Sequence, residues 1–145
     1  MWGWVGWGCF LDSLTHVCML HALFSLYIAC EHTGCFTSDG NLTSANYPIA
    51  YYPNTADSWL ITAPAEQNVT IYFVDFLIYC PGDYVSLYDG DSTSNPREGD
   101  NRYCGNNSPG CKETSSNNLL VTLTSNGQYQ HRGFSAKFYF GGQYE

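Results

Sequence analysis

From Cys35 onward the chain alternates apolar and polar side chains in short runs, and each run closes in turn chemistry. This period of two constrains the fold more than any other feature, because successive side chains of a strand point to opposite faces and a helix cannot hold that pattern. In the run from Asn68 to Phe73 the alternation sets Val69, Ile71 and Phe73 on one face and Asn68, Thr70 and Tyr72 on the other. The run from Asp83 to Tyr88 turns Val85 and Leu87 inward. Leu119, Val121 and Leu123 alternate with Leu120, Thr122 and Thr124, and Phe134, Ala136, Phe138 and Phe140 alternate with Ser135, Lys137 and Tyr139. Asp57 to Thr62 reads as a further strand, ended by Pro64, with Trp59 in the core. Ser38-Asp-Gly40, Pro81-Gly82, Asp89-Gly90, Asn107-Ser-Pro-Gly110 and Asn126-Gly127 separate these runs with the residues that turns require. Strands with one apolar face each bury it by packing sheet on sheet, so the reading is all-β: a two-layer antiparallel β-sandwich.

The length of 145 residues means one domain as a prior, large enough to bury a real core. Acidic residues (13) outnumber basic ones (5), for a net charge of -8, and the basic residues form no run. A phosphate backbone would be repelled, which argues against nucleic acid as a partner. The seven cysteines, Cys9, Cys18, Cys30, Cys35, Cys80, Cys104 and Cys111, include no C-x-x-C pair and no zinc-finger spacing, so they read as disulfide formers. Three sequons, at Asn41, Asn68 and Asn106, agree with a secreted glycoprotein, Asn106 being the poorest acceptor because Pro109 follows it.

Residues 1–34 are a different material. They hold no Lys or Arg, open on a Trp-Gly repeat and continue into an apolar stretch from Val17 to Cys30. That stretch is too short for a membrane span but about the length of a signal-peptide core, with small residues Ala29 and Cys30 at its end. The first reading is a signal peptide cleaved near Ala29–Glu31, although the positive leader charge is missing. A mispredicted gene start is the second, and an amphipathic helix packed on the domain is the third.

The usual catalytic signatures are missing from the strand-rich region. His131, its one histidine, has no Glu or His at metal-binding spacing. There is no Gly-x-Ser-x-Gly elbow and no phosphate-cradling loop. Asp89 and Asp91 sit in a turn, where solvated carboxylates are the rule. The expectation is a protein that is not an enzyme.

An ordered set of motifs resembles a CUB domain. Gly40-Asn-Leu-Thr-Ser-Ala-Asn-Tyr-Pro48, Tyr52-Pro53-Asn54 and Ser58-Trp-Leu-Ile-Thr-Ala-Pro64 look like its opening. Cys80-Pro-Gly-Asp-Tyr-Val-Ser-Leu-Tyr-Asp-Gly90 resembles its central Cys-x-x-Asp-x-Val-x-x-Tyr-Asp-Gly segment. Cys104-Gly105, Ser115 to Leu119 and Gly133 to Tyr139 follow in order. The resemblance runs from about Cys35 to Phe140. It implies a jelly-roll-like sandwich over 35–140, a tail at 141–145, and extracellular recognition without catalysis.

The resemblance also implies site residues. It pairs Cys80 with Cys104, closing a loop worth about 3 kcal/mol in the chain-entropy model. The usual partner of Cys35 is replaced by Ser58, and Cys111 has no counterpart, so a Cys35–Cys111 pair is one expectation; a Cys30–Cys35 pair, or one thiol kept for dimerisation, is the other. Of the family's calcium ligands, Asp83 fills one role and Asn126 another, while the Glu has no counterpart and Tyr79 or Leu77 falls near its place. One carboxylate and one amide are poor in charge for calcium, so a weak calcium site is the most the resemblance implies, and no other cofactor is expected. Asp75 would join only if its strand bent, since it shares parity with Phe73. Sandwich-end loops suit binding because they vary without touching the core. Tyr47, Tyr51 and Tyr52 read either as anchors for a partner or as packing over the sheet edge, and Asp83 is the carboxylate placed to attract a partner Lys or Arg. The acidic balance points to a protein partner with a basic surface. The alternatives are a carbohydrate-binding module, with Tyr faces stacking on sugars, and a fragment of a modular protease carrying CUB repeats.

Overall fold

The computed structural model describes residues 29–97 and 102–141. The signal-peptide, gene-start and helix readings of the leader up to residue 28, and the tail at 142–145, lie outside the described residues. The chain divides into Met1–Cys30 and Glu31–Glu145, and the second unit is described by itself.

Eight strands follow in chain order: β1 Gly34–Phe36, β2 Gly40–Thr43, β3 Ala56–Thr62, β4 Val69–Leu77, β5 Tyr84–Asp89, β6 Cys111–Glu113, β7 Asn118–Thr124 and β8 Gly133–Phe140. They form two four-stranded sheets, ordered β1-β3-β7-β5 and β2-β8-β4-β6. All pairings are antiparallel except β1 with β3, which is parallel and puts Cys35 beside Leu60. Hydrogen bonding to β3 reaches back ahead of β1: His32 Nδ1 meets Ser58 Oγ at 2.8 Å, and Ser58 N–H donates to Thr33 Oγ1 at 3.0 Å. Ser58 thus ties this segment to β3 by hydrogen bonds.

The inward residues are those the alternation selects. Trp59, Ile61, Val85, Leu87, Leu119, Val121 and Leu123 come from one sheet, and Leu42, Val69, Ile71, Phe73, Phe134, Ala136 and Phe138 from the other, all buried. Phe134 sits between the sheets, edge-on to Trp59 at 5.4 Å and to Phe73 at 5.4 Å. Such aromatic pairs add stabilisation beyond the area they bury.

The outer faces depart from strict alternation. Leu120 lies between Leu60 and Tyr88 on the outer side of the central strand and is buried as deeply as the core. Thr70, expected to face water, is also buried. In β4 the register shifts between Phe73 and Asp75, leaving exposed Val74 as the extra residue of a bulge. The bulge resets the parity, so Phe76 and Ile78 return inward. The expectation that Asp75 shares the face of Phe73 is therefore corrected: the strand bends, and Asp75 meets Arg132.

Cys80 and Cys104 are joined, with Cα atoms 5.5 Å apart. Cys30 and Cys35 also stand in disulfides. The expected Cys35–Cys111 pair is not formed: Cys111 carries an exposed thiol. Cys35 lies on β1 and Cys111 on β6, on opposite sheets, and both side chains are exposed. Facing sheets are about 10 Å apart, beyond the reach of a disulfide.

Candidate binding surface

Three loops meet at one end of the sandwich, because β2, β4 and β7 end there and β3, β5 and β8 begin there. They comprise residues 44–55, 78–83 and 125–132. Tyr51 and Asp83 tie them together. Asp83 is 1% exposed. Its Oδ2 accepts the Tyr51 hydroxyl at 2.8 Å and its Oδ1 accepts the Asn126 N–H at 2.8 Å. The same Tyr51 hydroxyl accepts the Tyr79 N–H at 2.9 Å, and the Tyr51 N–H donates to the His131 carbonyl at 3.1 Å. Burial, and then the bond to Asp83, push the Tyr51 phenol up to about 12 against the opposing pull of the Tyr79 N–H. Gly82 is required beside this knot: its φ is +110°, and a Cβ there would collide with the Asn126 side-chain amide.

A second polar knot flanks the first. Asp75 receives Arg132 through two bonds of 2.7 Å, and Asp75 Oδ2 also accepts the Tyr47 hydroxyl at 2.8 Å. The guanidinium bonds hold the Asp75 carboxyl well below the usual carboxylate range. The Tyr47 phenol is raised, first by its bond to Asp75.

Above these knots the loop end presents aromatic and aliphatic surface. Tyr79 lies against Tyr129, with ring centroids 5.2 Å apart, and against His131 at 5.5 Å. Tyr129 is 68% exposed, Ile49 67% and Tyr52 55%. The remaining large exposed hydrophobics among the described residues, Tyr72 and Val74, lie on β4.

The residues expected to bind a ligand separate into different roles. Tyr52 faces solvent at the loop end. Tyr47 is half-buried, with its hydroxyl committed to Asp75. Asp83 is too deeply buried to touch a partner, which corrects its expected direct role. Tyr51 belongs to the core rather than to an anchor. Ile49, Tyr79, Tyr129 and His131 form surface that the sequence pattern does not reveal. The Asn126-Gly127 turn ahead of Tyr129 signals a loop, but only the fold brings that loop beside Tyr79.

The candidate calcium residues Asp83 and Asn126 do come together, but through the Asn126 backbone. The Asn126 side-chain oxygen accepts the Gln128 N–H at 2.8 Å, and both Asp83 oxygens already accept protein donors. Among the described residues no group of three or more His, Cys, Asp or Glu gathers. Calcium takes six to eight oxygens, several of them charged, and these residues as arranged do not make up such a set.

The sequons also differ in setting. Asn41 is exposed on edge strand β2, Asn106 is exposed in a loop, and Asn68 is half-buried, its amide donating to Glu113 at 2.7 Å.

The sandwich, its strand order and the Cys80–Cys104 link define a CUB domain, and the sequence matches the CUB domain family over residues 30–138. The chain belongs to that family. It is 41% identical over 118 residues to cubilin of Rattus norvegicus, covering 76% of this chain and 3% of that protein. It is 39% identical over 104 residues to the bone morphogenetic protein 1 homolog of Strongylocentrotus purpuratus, covering 69% of this chain and 16% of that protein. Among solved structures, the MASP-1 CUB2 domain bound to Ca2+ superposes with a TM-score of 0.65 at 27% identity, covering 74% of this chain and 98% of that one. The full extracellular region of zebrafish Gpr126/Adgrg6 gives a TM-score of 0.65 at 27% identity, over 78% of this chain and 15% of that one. The chain thus spans a small share of the curated relatives it matches. The CUB domain is a non-catalytic module of extracellular proteins. No helix among the described residues is long and apolar enough to cross a membrane.

Proposed function

We propose that this domain is a secreted, non-catalytic recognition module that docks an extracellular protein through its loop end. The observation that carries the reading is the concentration of exposed Ile49, Tyr52 and Tyr129 on loops locked by the buried Tyr51–Asp83 knot. Aromatic side chains on a rigid base make good anchors, since they bury much area at little conformational cost. The acids nearest this surface are already engaged, Asp75 by Arg132 and Asp83 by Tyr51 and Asn126. Contact is therefore aromatic, while the net charge of -8 steers a basic partner from a distance. Asp83 acts by tying loops rather than by holding calcium.

The test is capture of extracellular proteins on the immobilised chain, comparing wild type with Tyr52→Ala, Tyr129→Ala and a control, Tyr72→Ala. Proteins lost with the two loop variants but kept by the control support the reading. A pattern of capture indifferent to the loop variants rejects it.

A second reading has a site of its own. On the outer face of the β1-β3-β7-β5 sheet a depression of about 350 Å³ is lined by Asp57, Ser58, Thr122, Thr124, Tyr84 and Tyr88 among others. Hydroxyls beside tyrosines suit a saccharide, although Arg102 already covers the Tyr84 ring at 4.3 Å. A glycan array, with Tyr88→Ala as the variant, separates this reading from the first.

A further inference from the structure

At the end of the sandwich opposite the loop surface lies a groove of about 770 Å³, lined by Glu66, Gln67, Asn68, Asn117, Phe140 and Gly141 among others. Its chemistry is amide-rich, with one half-exposed aromatic ring. Asn68 opens the sequon Asn68-Val69-Thr70. Its side-chain amide donates to Glu113 Oε2, and its carbonyl accepts the Gly141 N–H at 3.0 Å.

The third residue of that sequon supplies an independent observation. Thr70 is 1% exposed, and its Oγ1 is the one buried side-chain polar atom among the described residues without a hydrogen-bond partner. Its neighbours across the ladders are Glu113 and Tyr139. An unpartnered buried hydroxyl is destabilising, and Val would fill the same strand position without that penalty and with better β propensity. The folded domain therefore has no use for this hydroxyl. A sequon does, since Asn-x-Thr is an acceptor and Asn-x-Val is not.

We infer that Asn68 carries an N-linked glycan and that the groove at this end is the seat of its first sugars. In the transfer, Asn68 Nδ2 forms a bond to the anomeric carbon of a lipid-pyrophosphate-linked oligosaccharide. The bond from that carbon to the pyrophosphate oxygen breaks, the lipid pyrophosphate leaves, and the proton lost from Nδ2 passes to solvent; nothing is oxidised or reduced. The second Nδ2 hydrogen stays and keeps the bond to Glu113. Because Thr70 is buried in the fold, the transfer precedes folding. The glycan then lies against Phe140 and the amides of Gln67 and Asn117, covering this end of the sandwich and leaving the aromatic loop end bare. Asn41 has no such groove: it is exposed on edge strand β2 opposite Lys137.

The test expresses the full chain and its Thr70→Val and Thr70→Ser variants in a glycosylating secretory host and in an oxidising bacterial compartment that adds no glycan. Site occupancy is read by peptide mass spectrometry, and stability by melting midpoint. Wild type and Thr70→Ser carry glycan at Asn68 and Thr70→Val does not. Thr70→Val lowers the midpoint in the glycosylating host, yet leaves it unchanged or raises it in the other. Native enzymatic deglycosylation at Asn68 is about tenfold slower than at Asn41, or than in the denatured chain if Asn41 is bare, the protection expected when about 1.4 kcal/mol of contact must open first. Three results would overturn the inference: a bare Asn68 in secreted wild-type protein, a lower midpoint for Thr70→Val in the glycan-free host, or a glycan at Asn68 that is removed as fast in the native domain as in the denatured chain.

Discussion

Tyr51→Phe deletes one oxygen and leaves the ring in place, so its effect reports the hydroxyl alone. That hydroxyl gives its hydrogen to Asp83 Oδ2 and receives the Tyr79 N–H, at 2.8 and 2.9 Å. With Tyr51 only 2% and Asp83 1% exposed, water cannot replace either bond without opening the loops. A buried hydrogen bond to a charged acceptor is worth about 1.5–3 kcal/mol, and stranding a backbone N–H adds about 1 kcal/mol, so about 3 kcal/mol should be lost. In a domain of this size each kcal/mol moves the melting midpoint by about 4 °C, which gives a fall of about 12 °C. Urea denaturation with the disulfides intact measures the change, and Tyr52→Phe, whose ring is 55% exposed, serves as the control within about 0.5 kcal/mol. The linkage adds a second signature. A phenol whose pKa rises from 10.0 unfolded to about 12 folded contributes stability that is complete below pH 10 and is lost as pH climbs toward 12. Tyr51→Phe should remove that alkaline window. A variant as stable as wild type, or one with the same alkaline loss, would show that Tyr51 does not tie the loops.

Other consequences follow from the same geometry. Gly82→Ala forces a side chain into a φ of +110° against the Asn126 amide and should be destabilising by about 1–3 kcal/mol, read by melting. Arg132→Ala exposes Asp75 but touches a pair whose partners are 44% and 28% exposed, so the loss should stay below about 1 kcal/mol and shrink with added salt. The Asp75 contribution is present above the ordinary carboxylate range and fades as pH falls through its lowered folded pKa, so wild type and Arg132→Ala should converge in acid. Reducing Cys80–Cys104, which spans 24 residues, should remove about 3 kcal/mol. Calorimetric titration with calcium should give no tight binding; tight binding by wild type would contradict the donor geometry.

Most of the fold is legible in the sequence because a half-buried strand writes its two faces into alternate residues. Val69, Ile71 and Phe73, or Leu119, Val121 and Leu123, declare the core without any tertiary information. The bulge at Val74 is hidden, although its trace is the three-residue step from Phe73 to Phe76, which strict alternation forbids. The site is less legible because its parts are far apart in sequence. The burial of Asp83 depends on Tyr51, 32 residues earlier, and on the Asn126 backbone, 43 residues later. Cys35 and Cys111 look like partners only while each lacks another, whereas sheet membership, set by topology, keeps them on opposite layers. Tyr129 and Tyr79 meet only because the β4–β5 and β7–β8 loops share one end.

Site-specific photo-cross-linking reads out directly whether a protein docks on the aromatic loop end. A benzophenone side chain is placed at Tyr52, Tyr129 or Tyr72 of the full chain, which is irradiated in a mixture of extracellular proteins. A discrete protein adduct is expected from the first two positions and none above background from the third. An adduct confined to position 72, or equal labelling at all three, would contradict recognition through the aromatic loop end.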